Sequence, residues 1–263
     1  MVDKTADDCH VRDFTGRTHE PFTIQAGPAK FYVVTDPRDV AEVYKNVTTL
    51  NWDGHLTQVL KNFGFTGSAL ELAWHEPIPG DECYVHNSRI NPKQLSMIKL
   101  GEEALVAQLL PGVHMTKMTT QFIESLKSSL QPSNLQFCTF QRSSDGRSHR
   151  VSLRSLCRNI LVEATTTSIF NDALHKLNPN IVQNMLDFND RAWMVFFGLP
   201  KILTSKVTKA RRTMTQTLKE YVTLPEADRE GEAWAIQQVI KAMETVGIDI
   251  DSRASMLLLM YWA

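Results

Sequence analysis

The sequence predicts a mainly α protein with a small β part. From Pro92 onward apolar residues recur at spacings of three and four, the strand-like runs are short and joined by turn signals, and the chain closes on a stretch, Met256 to Trp262, that is apolar on every side. At 263 residues the chain can form one large domain or two small ones, and a chain of ~300 residues buries about three-quarters of its unfolded surface. A substantial core is therefore possible.

Taken in order, Phe22–Gln25 and Lys30–Thr35 are strand-like, and Ala26-Gly27-Pro28-Ala29 between them suits a hairpin connection. Asp36 can cap a helix whose first position is Pro37 and whose apolar positions are Val40, Val43 and Tyr44. From Val47 to Asn91 the aromatics Trp52, Phe63, Phe65 and Trp74 are scattered among glycines and prolines without a sustained period. Short helical turns and long loops are expected there, and long loops in a compact domain often bind ligands.

A helix follows from about Pro92 to Leu110, broken by Pro111-Gly112, and a second has Met118, Phe122, Leu126 and Leu130 stepping by four. Leu135–Phe140 and His149–Leu153 bracket Asp145-Gly146, a hairpin signal. Leu153, Leu156, Cys157, Ile160, Leu161 and Ala164 then form the clearest helical stripe, a face expected to meet a core. Further helices are predicted at about Pro179 to Phe197, Leu203 to Val222 and Glu232 to Val246, the last with Ile236, Val239, Ile240 and Met243 on one side. No internal repeat is present.

Asp251 or Ser252 can cap the closing helix, which then reads as one surrounded by protein. It lacks a closing Gly or Asn, a basic last turn and a following Pro, so the expectation is a chain cut inside a central buried helix. A run this short does not span a bilayer, which needs ~20 apolar residues. Alone in water a helix of about twelve residues is marginal, so its partners lie elsewhere in the protein.

Composition excludes more than it assigns. Hydrophobic content of 43% and charged content of 22% are ordinary for a globular protein. A net charge of -1 provides no field for a polyanion, which excludes nucleic acid as the expected partner. Cys9, Cys83, Cys138 and Cys157 are too far apart for a zinc or dithiol motif and read as reduced thiols. The polar, acidic start is neither a signal peptide nor an anchor. No P-loop, no His-x-x-x-His or Glu-x-x-His pair and no Gly-x-Ser-x-Gly elbow is present.

Phe31-Tyr32-Val33-Val34-Thr35-Asp36-Pro37-Arg38-Asp39-Val40-Ala41-Glu42-Val43 resembles an early strand and the following helix of a cytochrome P-450. Leu153 to Ala164 is similar to a later core helix of fungal members, and Leu257 to Ala263 resembles the opening half of the long central helix over the haem. The order of elements carries the resemblance from about Pro21 to Ala263, closest to the branch with prostacyclin synthase and the sterol 7α-hydroxylases. It implies a tail over residues 1–20 and, over 21–263, the N-terminal portion of the cytochrome P-450 fold, truncated inside the central helix. Glu226 to Arg229, the match to the family's Glu-x-x-Arg, falls before that helix rather than after it and reads as chance.

The resemblance implies haem as cofactor, with iron held by a cysteine thiolate. None of the cysteines lies in the family's Phe-x-x-Gly-x-Arg-x-Cys-x-Gly context, so neither a metal ligand nor a catalytic residue is expected in this chain. The family's Trp-x-x-x-Arg, which steadies a haem propionate, is represented by Val113 and Lys117. Lys117 can offer a point charge and His114 a donor, although ordinary helix positions are the commoner fate of such residues.

By the same resemblance Trp52 to Trp74 covers an apolar substrate, which makes Phe63, Phe65, Trp74 and Trp262 candidate pocket residues that can instead be packing anchors. In the truncated chain Trp262 is expected to be exposed. A reductase is the implied partner of the full-length enzyme, which works at the cytoplasmic side of the endoplasmic reticulum. Trp193, Phe196 and Phe197, followed by basic positions from Lys201 to Lys219, suit contact with an anionic membrane or, alternatively, a solvated helix face beside a buried stripe. Two other functions stay open: a haem-thiolate isomerase of the prostacyclin synthase kind, and a helical binding protein or degenerate gene product without enzyme activity.

Overall fold

The structure, a computed structural model, describes residues 20–26, 29–46, 48–78, 91–134, 139–142, 149–199, 202 and 204–262. Cys9, Cys83, Cys138 and the predicted turn at 143–146 lie outside them. The described residues are mainly helical with a small antiparallel β part, as the apolar spacing predicts. The chain divides into two units, Met1–His55 and Leu56–Ala263.

In the first unit β1 (Phe22–Ala26) pairs antiparallel with β2 (Ala29–Val33), Ile24 opposite Phe31. Helix α1 (Pro37–Lys45) begins where the sequence predicts, because the Asp36 carboxylate accepts a hydrogen bond from Arg38 N at 2.7 Å. A helix α2 (Asp53–Phe63) starts at the end of this unit and continues into the second.

The second unit holds the hydrophobic core. After α2 come α3 (Gly67–Trp74), α4 (Met97–Leu109), α5 (Val113–Ser129), a two-stranded hairpin of β3 (Thr139–Arg142) and β4 (His149–Val151), and α6 (Leu153–Phe170). Next are α7 (Ala173–Leu177), α8 (Ile181–Asn189), α9 (Ala192–Phe196), α10 (Ser205–Thr223), α11 (Trp234–Thr245) and α12 (Ile250–Trp262). The main packings join α5 with α6, α10 with α12, and α4 with α11. Ile236, Val239, Ile240 and Met243 of α11 are all buried, as their spacing predicts.

Helix α12 is buried on consecutive positions from Ala254 to Leu259, which is why its sequence has no polar face. Met214, Leu218 and Tyr221 of α10, each fully buried, supply much of its cover. Its cap corrects the sequence expectation. Asp249, not Asp251 or Ser252, precedes the first turn, and its carboxylate accepts from Ser252 N at 2.9 Å.

Other expectations are also corrected. The stretch after Val47 contains two regular helices, α2 and α3, where short helical turns and long loops are expected. Leu56, Val59, Leu60 and Phe63 recur at helical spacing, and Gly64, at φ 111°, ends the first helix against the Ser255 side chain. The helix predicted from Pro92 starts at Met97, because the Asn91 side chain folds back on both backbone groups of Leu95 at 2.8 Å and Ser96 caps.

The predicted Pro179–Phe197 helix is two helices, α8 and α9, and α7 precedes them. At the break Arg158 Nη2 donates to Leu186 O at 3.0 Å and to Asp190 Oδ1 at 2.6 Å. The stripe on α6 is only partly covered: Ile160 and Ala164 are buried, whereas Leu153 and Leu161 are 71% and 47% exposed and Cys157 is also exposed. The part of α6 that enters the core is its second half, ending at the fully buried Phe170.

Candidate functional site

At the C-terminal end of α12 four aromatic rings meet. Trp262 lies 5.8 Å from Phe63 of α2 and 5.5 Å from Phe196 of α9, and Phe63 meets Phe188 of α8 edge-on at 6.1 Å. Phe63 and Phe188 are buried, while Trp262 and Phe196 are half-buried. The expectation of an exposed Trp262 is thus corrected, because residues upstream in sequence supply its cover.

Two amides border the rings. Trp262 Nε1 donates to Asn189 Oδ1 at 3.1 Å, and Asn62 Nδ2 donates to Phe196 O at 3.0 Å. The result is a packed seat for the Trp262 ring, bordered by the two amides.

The other residues singled out in the sequence lie elsewhere. Phe65 is buried beside the Gly64 turn, its N–H donating to Leu60 O at 3.0 Å. Trp74 is half-buried under Lys99, whose Nζ lies 5.7 Å from the ring, and its Nε1 is buried with no hydrogen-bond partner among the described residues. His114 stacks on Trp234 at 4.3 Å, and its carbonyl accepts from Gln108 Nε2 at 2.9 Å. Gln108 Oε1 in turn accepts from Ala235 N at 3.1 Å, so His114 belongs to the joint between α4, α5 and α11.

Lys117 is exposed and lines a cleft of about 280 Å³ with Glu226, Arg229, Glu230 and Glu232. Carboxylates outnumber cations in that cleft, which disfavours a further acid such as a haem propionate. Among the described residues no group of three or more His, Cys, Asp or Glu could hold a metal ion, and Cys157, the described cysteine, is exposed on α6. Cys157 and the Lys117 cleft therefore do not fit haem's iron and propionates.

A buried polar cluster escaped the sequence reading. Arg229 and Glu232 are each 6% exposed, joined at 3.1 Å, and the fully buried Tyr221 donates its hydroxyl to Glu232 Oε2 at 2.5 Å. Burial, then the Glu232 charge, push the Tyr221 phenol above its usual range, so it remains a donor. Burial also raises the Glu232 carboxyl, against the pull of Tyr221 and Arg229. The legible signal was the spacing of three from Arg229 to Glu232. The pairing of Glu226 with Arg229 drew attention away from it.

No family model matches the chain. Over 80 residues, 29% of this chain, it is 31% identical to the cytochrome P450 monooxygenase fsoE of Humicola fuscoatra. The matched stretch is 14% of that relative's length, so the similarity to a fungal cytochrome P450 concerns a small part of the longer protein.

Proposed function

We propose that the chain is part of a haem-dependent monooxygenase of fungal type that oxidises an apolar small molecule such as a lipid, sterol or other secondary metabolite. The observation that carries the reading is the similarity to a fungal cytochrome P450 monooxygenase. In this reading Trp262 and the Phe63 ring packed on it border the substrate, whereas Phe65 and Trp74 lie elsewhere in the fold. Haem would be held by residues outside the described ones and would supply the dioxygen chemistry. The chain's own residues bind and orient the substrate and exclude water from it.

Trp193 and Phe197 are 48% and 53% exposed, and Lys206, Lys209 and Arg212 are exposed beyond them. This surface suits peripheral contact with an anionic membrane, at the cytoplasmic face of the endoplasmic reticulum in this reading. Among the described residues no helix is long and apolar enough to cross a membrane. Vesicle co-sedimentation that ignores replacement of Trp193 and Phe197 by serine would remove this contact from the proposal.

The deciding experiment is to sequence the full-length transcript, express its product with haem, and assay oxidation with and without a reductase. A downstream cysteine loop and reductase-dependent oxygenation support the monooxygenase. Product formed from a peroxide without electrons identifies an isomerase of the prostacyclin synthase kind. A native transcript without the cysteine loop overturns the enzyme reading and leaves a helical binding protein.

A further inference from the structure

We propose that the groove between α4 and α11 is a binding site for an uncharged molecule of one aromatic ring that carries a hydroxyl group, of the size of phenol. It shares no residue with the ring cluster at Trp262.

The groove follows from the spacing of side chains on the two helices. Leu100, Glu103, Ala104 and Ala107 recur at three and four along α4, which gathers them on one face, and Trp234 and Gln238 stand one turn apart on α11. With two alanines on the α4 side, the packed helices leave a cleft of about 200 Å³ between these residues. An engineered apolar cavity of about 150 Å³ admits benzene, so the cleft has room for one ring and a small substituent, and not for a lipid or a sterol.

The lining decides the chemistry. Pro92, Leu100 and the two alanines are apolar, and Trp234 supplies an aromatic wall. That wall is held in place without a ligand: His114 stacks on the Trp234 ring at 4.3 Å, and the Gln108 side chain bonds both the His114 carbonyl and Ala235 N. At the exposed rim Lys93 and Glu103 pair at 2.7 Å, so the cleft offers no net charge to an ionic ligand. The Asn91 amide is bonded to both backbone groups of Leu95, whereas the Gln238 amide and the Trp234 indole N–H have no hydrogen-bond partner among the described residues. A ring-sized apolar space is thus bordered by open donors and an open acceptor, and a hydroxyl, which both donates and accepts, suits them.

The test uses the 263-residue chain labelled with 5-fluorotryptophan, the Trp234 resonance being assigned by its loss in Trp234→Phe. Phenol serves as the probe. It is expected to shift the Trp234 resonance saturably while the Trp262 resonance stays in place. Ala107→Leu fills the cleft from the α4 side and is expected to weaken phenol binding at least tenfold. Gln238→Leu removes the amide and is expected to weaken phenol several-fold while leaving benzene binding unchanged. It also decides the matter should Ala107→Leu fail to fold.

A Trp234 resonance that ignores phenol in the folded parent overturns the site, as does unchanged phenol binding in folded Ala107→Leu. Phenol binding that Gln238→Leu leaves unchanged overturns recognition of the hydroxyl, and benzoate binding as tightly as phenol overturns the uncharged class of ligand.

Discussion

Thr66 and Asp249 each cap a helix, and they are hydrogen-bonded to one another at 3.1 Å. Thr66 Oγ1 accepts from Ala69 N at the start of α3, and the Asp249 carboxylate accepts from Ser252 N at the start of α12. The buried Ser252 hydroxyl completes the joint, donating to Asp249 Oδ2 at 2.8 Å and accepting from Thr66 N at 3.3 Å. Two helix beginnings far apart in sequence are thus tied through three small side chains.

Asp249→Ala removes a cap and the bond to Thr66 and is expected to cost about 1–2 kcal/mol. Thr66→Val should cost less, and a double-mutant cycle should show coupling of about 0.5–1 kcal/mol. Burial raises the Asp249 carboxyl, but the hydrogen bonds from Ser252 and Thr66 outweigh it and the net shift is downward. A depressed carboxyl contributes stability that is present above its unfolded pKa and lost as pH falls through the folded one. Denaturant melts of parent and Asp249→Asn should therefore converge in acid; a gap that persists at low pH contradicts the assignment.

The Arg229–Glu232 pair carries the opposite sign. Because burial raises Glu232, the folded protein holds that proton to higher pH than the unfolded chain does, and this group's contribution falls as pH rises from the unfolded pKa through the folded one. Arg229→Met leaves a buried carboxylate uncompensated and is expected to cost about 3–5 kcal/mol. Adding Glu232→Gln should recover part of it. Chemical denaturation of the single and double variants decides this, and additive losses would show that the two side chains do not interact.

His114 and Lys117 stand three residues apart on α5, and the structure separates their roles. His114→Ala removes the stack on Trp234 and should lower stability by about 1 kcal/mol. Lys117 is exposed in a cleft rich in carboxylate, so Lys117→Ala should leave stability within about 0.5 kcal/mol of the parent. In the proposed haem enzyme neither change should reduce haem content. A several-fold loss of haem on replacing Lys117 would restore it as a propionate donor.

The helices that were legible in sequence are those whose apolar residues sit on one side of one partner, as in α11, where every residue of the stripe is buried. The α6 stripe misled because periodicity reports that a face is apolar, not how far along the helix a neighbour reaches. Helices α2 and α3 were hidden because a pair of short helices separated by Gly64 presents mixed residues in any long window. The seat was half legible. Phe63 and Trp262 were singled out separately, but Phe188, Asn62 and Asn189 became visible only when folding brought residues 62 to 262 together.

Cysteine ligation gives the last prediction. A thiolate holds haem iron only where the sulfur is presented to a sheltered cofactor and kept deprotonated by its surroundings. Cys157 is exposed on the first half of α6, beside the likewise exposed Leu153 and Leu161, and no described residue there encloses a macrocycle. Expressed alone with haem supplied, the 263-residue chain is expected to give no thiolate-type band in the reduced carbon monoxide difference spectrum. Cys157→Ser in the proposed haem enzyme should leave such a band intact. A thiolate band from the 263-residue chain that disappears with Cys157→Ser would instead make α6 a haem-binding element and overturn this prediction.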